Sequence, residues 1–237
     1  MPKIKWVGII RDMDIYQTGI LPAHAVQLRI PRNLSGTMTA GTPFILPPIL
    51  LCCGSVFLKT LLTGRILVHP LWIFAGVVLG FVCMLLHELL HAVVYPKDAY
   101  VYIGIVPKNF AAVALASHPM KRKRFLLMTL LPAVLGILPL LLFWILPATA
   151  VALNSIMFGL AIMGLVSPYV DYFIAYQVYR QVPSDCFVQN EKDEVYYFTK
   201  EAPPVRERLR AIAEADAEEE ADAAEEAQHA AQHDEAL

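Results

Sequence analysis

Three ionisable residues in one apolar stretch form the sequence His-Glu-Leu-Leu-His at positions 87–91. Residues four apart lie on the same face of an α-helix, so His87 and His91 can bind one metal ion. Glu88 is rotated by about 100° around the helix axis, which lets its carboxylate reach a water molecule at that metal. Two imidazoles with this glutamate are typical of zinc peptidases. We therefore expect a Zn²⁺ site with His87 and His91 as ligands and Glu88 as the catalytic general base.

A third metal ligand has to come from elsewhere in the chain, because catalytic zinc sites usually have three protein ligands and a water. Asp171 is the only other carboxylate in a long apolar stretch, where an ionised group is costly and is usually retained for function. We predict Asp171 as the third ligand. The alternatives left open are His118, which follows a predicted hairpin, and Glu191 or Glu194, which lie in a polar segment.

The composition is that of a membrane protein. The 237 residues are 57% hydrophobic and 17% charged, with a mean hydropathy of +0.52, values that soluble domains rarely show. Four apolar stretches are long enough to cross a bilayer; they cover residues 43–62, 69–95, 125–146 and 151–179. The predicted fold class is therefore mainly α, a multi-pass membrane protein with about four transmembrane helices.

The segment 97–118, directly after the HELLH helix, is unlike the spans. Two β-type runs, at 99–105 and 111–117, flank Pro107-Lys108-Asn109 and predict a short β-hairpin. An exposed strand edge at this place could hold an extended peptide by backbone hydrogen bonds. Similar patterns predict a second hairpin within 183–200 and a short strand at 25–30.

The predicted organisation has four parts: a cytoplasmic N-terminal segment, a four-span membrane domain, a short cytoplasmic segment, and an acidic tail that is disordered or a solvated helix. They cover residues 1–41, 42–180, 181–205 and 206–237. Residues 1–200 contain 16 Lys and Arg against 9 Asp and Glu, whereas residues 201–237 contain 3 against 12. With four spans, the basic clusters fall on one face. The positive-inside rule therefore predicts a cell-membrane protein with both termini in the cytoplasm.

The sequence also predicts where individual side chains within the spans lie. Lys59, near the end of the first span, is expected to extend its ammonium group to the membrane interface. Gly76 and Gly80 share a helix face with His87, and Gly164 shares one with Asp171. Small residues on such faces let transmembrane backbones approach closely, so we expect the second and fourth spans to meet there. His87, His91 and Asp171 all lie past the middle of their spans, toward the cytoplasmic end.

Most of residues 20–200 resembles a bacterial membrane family described as putative zincin peptidases. The resemblance rests on HELLHA at 87–92, the hairpin after it, the basic entry to the third span with Pro132, the late Asp171, and a VPSDCFVQ segment followed by VYYF. It implies a zinc peptidase fold. The chain is also similar to site-2-type intramembrane proteases, which pair an H-E-x-x-H helix with a later Leu-Asp-Gly aspartate. Here Val170 precedes Asp171, where the family has glycine, and Tyr172 follows it.

The predicted function is an intramembrane zinc metallopeptidase that hydrolyses peptide bonds of membrane-associated substrates near the cytoplasmic leaflet. Its expected partners are the lipid bilayer and a peptide or membrane-protein substrate, with no nucleic acid. The alternative is a non-catalytic scaffold or assembly factor with a zinc site closed by four protein ligands. Transport through the intramembrane His and Asp residues is a third class, against which the lack of an internal repeat argues.

Overall fold

The computed structural model describes residues 1–31, 34–107, 111–192 and 194–200. The predicted acidic tail at 206–237 lies outside these residues. The helices are listed here in chain order: α1 Leu34–Gly41, α2 Leu46–Thr63, α3 Pro70–Val82, α4 Met84–Val94, α5 Arg122–Leu130, α6 Val134–Ile145, α7 Val151–Val166 and α8 Tyr169–Gln181. The described chain is therefore mainly helical, as predicted.

The first apolar helix starts earlier than its sequence indicates. Together α1, a 3₁₀ turn at Thr42–Ile45 and α2 form one apolar helical stretch, Ser35–Thr63, whereas the prediction began at Pro43. Pro47 and Pro48 lie in the first turn of α2, where their missing N–H groups break no hydrogen bond. The helix ends at Gly64, whose φ of +64° suits a left-handed C-cap.

The other apolar helices have breaks at single residues or prolines. Cys83 separates α3 from α4, but the His87 N–H donates to the Cys83 carbonyl, so hydrogen bonding continues and Pro70–Val94 counts as one stretch. Between α7 and α8 the axis bends by 41°. Within the described residues, three helices are thus long and apolar enough to cross a membrane, or four if the bent pair is one span.

Two small sheets accompany the helices. Their strands are β1 Lys3–Ile9, β2 Val26–Gln27, β3 Tyr100–Val106, β4 Ala111–Leu115, β5 Met120–Lys121, β6 Phe187–Glu191 and β7 Glu194–Phe198. One sheet has the order β1-β3-β4 and the other β2-β7-β6-β5. The antiparallel pairs β3–β4 and β6–β7 confirm both predicted hairpins. The strand predicted at 25–30 is present as β2, whereas β1 and its parallel pairing with β3 were not predicted.

The spans pack through glycines, but not all of the pairs are the expected ones. A Cβ atom on Gly76 of α3 would lie 2.4 Å from the Ile156 carbonyl oxygen of α7, so the second and fourth spans do approach closely. Gly164, in contrast, packs against α6, where a Cβ would lie 2.4 Å from the Gly136 backbone nitrogen. Sequence spacing identifies a small-residue face but not which neighbouring helix it meets.

Lys59 lies inside the bundle, so its ammonium group does not extend outward from the helices as expected. Only 5% of the residue is exposed. Its ammonium group donates to the carbonyl oxygens of Phe143 and Leu146 and to Oδ1 of Asn154, the last two at 2.8 and 2.9 Å. The carbonyls at the end of α6 have no helical N–H partners and attract a cation, so the lysine turns inward to cap them.

Lys59→Met is expected to destabilise the bundle by about 1–2 kcal/mol, because it leaves the α6 carbonyls and Asn154 without their donor. Reversible unfolding in detergent micelles measures the change. Leu58→Met, at an exposed position of the same helix, introduces the same side chain without removing a polar contact. Equal stabilities of the two variants would contradict this role of Lys59.

Candidate metal centre

The two histidines of the HELLH sequence face each other inside the protein. Both side chains come from α4, and about 6% and 8% of His87 and His91 is exposed. Their ring centroids are 4.8 Å apart and their Nε2 atoms 3.1 Å apart. The i, i+4 spacing on a regular helix accounts for this proximity. His87, Glu88 and His91 together offer ligand atoms within 4.8 Å of one another and could hold a metal ion.

Asp171 reaches the same place from the first turn of α8. Its Oδ2 atom is 3.2 Å from Nε2 of His87 and 3.6 Å from Nε2 of His91. The route depends on Pro168, which has no N–H to continue the hydrogen bonds of α7. The chain bends there and restarts, with the Tyr172 N–H donating to the Pro168 carbonyl at 3.0 Å. The short helix α8 starts directly after this bend and carries Asp171 in its first turn.

Nε2 of His87, Nε2 of His91 and Oδ2 of Asp171 form a triangle whose size fits a small tetrahedral cation. Its sides are 3.1, 3.2 and 3.6 Å. A tetrahedral zinc ion with ligand bonds of roughly 2.0–2.1 Å separates its ligand atoms by about 3.3 Å. Two imidazole nitrogens and a carboxylate oxygen repel one another through their lone pairs unless a proton or metal cation lies among them. The donor set and its spacing therefore fit zinc.

The orientation of His91 is set by a backbone carbonyl in α5. Nδ1 of His91 lies 2.8 Å from the Met128 carbonyl oxygen, which can only accept, so Nδ1 carries the hydrogen and donates. Nε2 is then left with its lone pair toward His87 and Asp171. The carbonyl is available because Pro132, four residues later, has no N–H to bond it. Such an outer hydrogen bond is the usual way in which a metal-binding imidazole is oriented.

Glu88 lies beside this group without contacting it directly. Its Oε1 atom is 3.8 Å from Nε2 of His87, beyond hydrogen-bond distance, and 8% of the residue is exposed. On its other side the carboxylate accepts a hydrogen bond from the backbone N–H of Ala114 in β4. The carboxylate therefore lies between the histidines and a strand of the first sheet.

The other three candidate ligands contact residues outside the His87–His91 pair. His118 lies 3.6 Å from Asp98, in a pair on the exposed side of the hairpin. Glu191 accepts from the Gly19 N–H and from Oγ of Ser117, at 2.6 and 2.9 Å. Glu194 accepts from the hydroxyl of Tyr196, two residues away. Of the four candidates for the third ligand, only Asp171 forms an ion-pair contact with His87 and His91 among the described residues.

Met128 was missed because its contribution comes from the backbone. No side-chain property of a methionine indicates a hydrogen bond to a histidine. The signal that could have found it is Pro132, which lies four residues later in an otherwise helical stretch and must leave one carbonyl without its usual donor. A proline in a span after an HELLH helix therefore indicates a free acceptor inside the bundle.

The comparison with protein families agrees with this geometry. Residues 80–187 match the model of a family described as "putative zincin peptidase". The matched segment contains both histidines, Glu88, Pro132 and Asp171. It confirms the family resemblance indicated by the sequence motifs. No curated protein and no solved structure matches the chain.

Pro132→Ala is expected to weaken zinc binding about tenfold or more, because the new N–H competes with His91 for the Met128 carbonyl. Competition with a fluorescent chelator measures the affinity. Pro139→Ala is the matched control, since Pro139 lies in α6 of the same span and its i−4 carbonyl belongs to Leu135. An affinity unchanged in Pro132→Ala, or equally weakened in both variants, would contradict the positioning role.

Metal analysis of purified variants tests the ligand set. His87→Ala and Asp171→Ala are both expected to lose bound zinc, because each leaves only two ligands at the proposed site. Glu191→Gln is expected to keep zinc at the wild-type level. Zinc retained by Asp171→Ala together with zinc lost by Glu191→Gln would move the third ligand to the second sheet.

Proposed function

We propose that the protein is an intramembrane zinc endopeptidase that cleaves membrane-associated peptides near the cytoplasmic leaflet. The observation that carries this proposal is the triangle of Nε2 of His87, Nε2 of His91 and Oδ2 of Asp171, with Glu88 adjacent to it. Three protein ligands leave a fourth position open, as catalytic zinc sites require.

A membrane location is supported by the positions of the apolar and polar side chains, which are opposite to those in a soluble protein. Between 22% and 33% of the most apolar window in each of the first three spans is buried, so most of this apolar surface faces outward. The side chains turned into the bundle include polar ones: Lys59, His87, Glu88, His91, Thr129, Asn154 and Ser155. Water would make this arrangement unfavourable, whereas a hydrocarbon solvent favours it.

The proposed orientation places the metal centre near the cytoplasmic surface. Arg124, in the basic first turn of α5, donates to the carbonyls of Val94 and Tyr95 at 2.6 and 3.0 Å. These carbonyls end α4, about one helical turn after His91. Because basic residues at span ends favour the cytoplasmic side, the histidines would lie just inside that leaflet.

The chemistry follows from the positions of these side chains. Bound zinc would polarise the scissile carbonyl and lower the pKa of the attacking water. Glu88 has no ion pair with a lysine or arginine among the described residues, and its carboxylate lies within reach of a water beside His87. It takes the proton of the attacking water and then delivers it to the leaving amine. His91, held by the Met128 carbonyl, keeps its Nε2 lone pair toward the reaction centre.

Strand β4 is suited to hold the substrate backbone. It is an edge strand of the described sheet, paired only with β3, and its Ala114 N–H reaches Glu88. A peptide in extended conformation could add to this edge and bring its carbonyl to the metal centre. Because peptide bonds in a transmembrane helix are hydrogen-bonded internally, a site that extends its substrate also exposes the bond to be cut.

Glu88→Gln is expected to reduce the rate of peptide hydrolysis by about 10²–10⁴-fold while leaving zinc content unchanged, because the amide binds water but cannot accept its proton. Peptide-library cleavage followed by mass spectrometry, with metal analysis in parallel, measures both quantities. Glu194→Gln applies the same substitution to a glutamate remote from the histidines and is expected to retain wild-type activity.

The same measurements discriminate the non-catalytic alternative. If Glu88 were a fourth ligand of a structural zinc ion, Glu88→Gln would lose zinc and stability together, and wild-type protein would hydrolyse no peptide. Full activity of a zinc-loaded Glu88→Gln variant would instead exclude Glu88 as the base.

A further inference from the structure

An apolar cavity of about 280 Å³ adjoins the metal centre inside the bundle. It lies among α3, α4, α6 and α7, and His87 forms part of its wall. The rest of the wall is apolar or small; Gly80, Leu138, Leu142, Leu160 and Ser167 are examples. His87 and the free thiol of Cys83 are the reactive groups of its lining.

The mouth of the cavity faces the surface that the proposed membrane would cover. Leu138 and Leu142 of α6 line the cavity and are also 55% and 48% exposed. They belong to the third apolar stretch, Arg122–Ile145. In the proposed membrane, a group that passes these leucines moves from hydrocarbon into the cavity without crossing water, which favours apolar occupants.

The volume suits one large side chain. An apolar cavity of about 150 Å³ stays dry and accepts a benzene ring. This cavity is nearly twice that size, enough for a phenylalanine or leucine side chain together with its attachment to a backbone. The residue that carries such a side chain would have its backbone at the His87 end, next to the triangle formed with His91 and Asp171.

We propose that this cavity is the specificity pocket of the site and receives a bulky apolar side chain adjacent to the scissile bond. The proposal rests on the proposed peptidase function and adds the substrate class: membrane-associated peptides with a large apolar residue at the cleaved bond. Leu160 and Leu138 are specificity-determining residues. The side chain is selected by its fit and apolar character, whereas β4 binds the backbone whatever the sequence.

The test compares Gly/Ser peptides that carry one variable residue, Phe, Leu, Ala or Glu, with wild-type protein in nanodiscs. Cleavage is expected to favour Phe and Leu over Ala by about tenfold or more in kcat/KM and to be undetectable for Glu. Leu160→Trp fills the cavity and is expected to reduce the Phe-to-Ala ratio at least tenfold with zinc content unchanged. Leu153→Trp, at an exposed position of the same helix, is the matched control and keeps the wild-type ratio.

Binding separates this proposal from the peptidase function. Zinc-loaded Glu88→Gln is expected to bind the Phe peptide more tightly than the Ala peptide, and Leu160→Trp added to it is expected to remove the difference. If wild-type protein cleaves no peptide but this selective binding is present, the peptidase function fails and the pocket stands. If peptides are cleaved without side-chain preference, or Leu160→Trp leaves the ratio unchanged, the pocket assignment is overturned.

A lipid occupant gives a different result. If an acyl chain fills the cavity in nanodiscs, zinc-loaded Glu88→Gln binds the Phe and Ala peptides with equal affinity, and Leu160→Trp added to it changes neither affinity. This outcome overturns the proposal, because the cavity would then be filled by lipid.

Discussion

The arrangement of this protein depends on bringing three lone-pair donors together where water is largely excluded. Two imidazoles and a carboxylate with atoms 3.1–3.6 Å apart need a proton or a metal cation among them, since buried polar groups need partners. The contacts of His87 and His91 with Asp171 thus link the second span to the end of the fourth, at the residues that could hold a metal ion.

Prolines provide the backbone geometry that such a site needs. Pro132 leaves the Met128 carbonyl without a helical donor, and His91 takes its place. Pro168 ends α7 and allows α8 to begin at an angle of 41°, which brings Asp171 to the histidines. In hydrocarbon, a broken helix is tolerated only where other groups satisfy the freed backbone. Here His91 donates to the freed Met128 carbonyl, so the break at Pro132 lies beside the candidate metal centre.

The metal centre also lies between two different surfaces. On one side β4 offers backbone groups, one of which already contacts Glu88. On the other, an apolar cavity begins at His87. Under the proposed function the first would bind an extended main chain and the second a side chain, so the two surfaces together would suit a peptide substrate. At the far end of the bundle Lys59 caps α6, which secures the helices away from the chemistry.

The sequence alone determined the features that depend on residues close together along the chain. Four-residue spacing on a helix pairs His87 with His91, a turn between two β-type runs makes the hairpin, and apolar length makes the spans. It also indicated Asp171 as a polar group that an apolar stretch must turn inward. Only the tertiary structure decided what that carboxylate approaches, that Lys59 turns inward, that β1 pairs with β3, and that Gly164 meets Gly136. The reason is physical: hydropathy tells which groups leave the solvent, whereas helix crossing angles and backbone breaks determine which distant groups they meet.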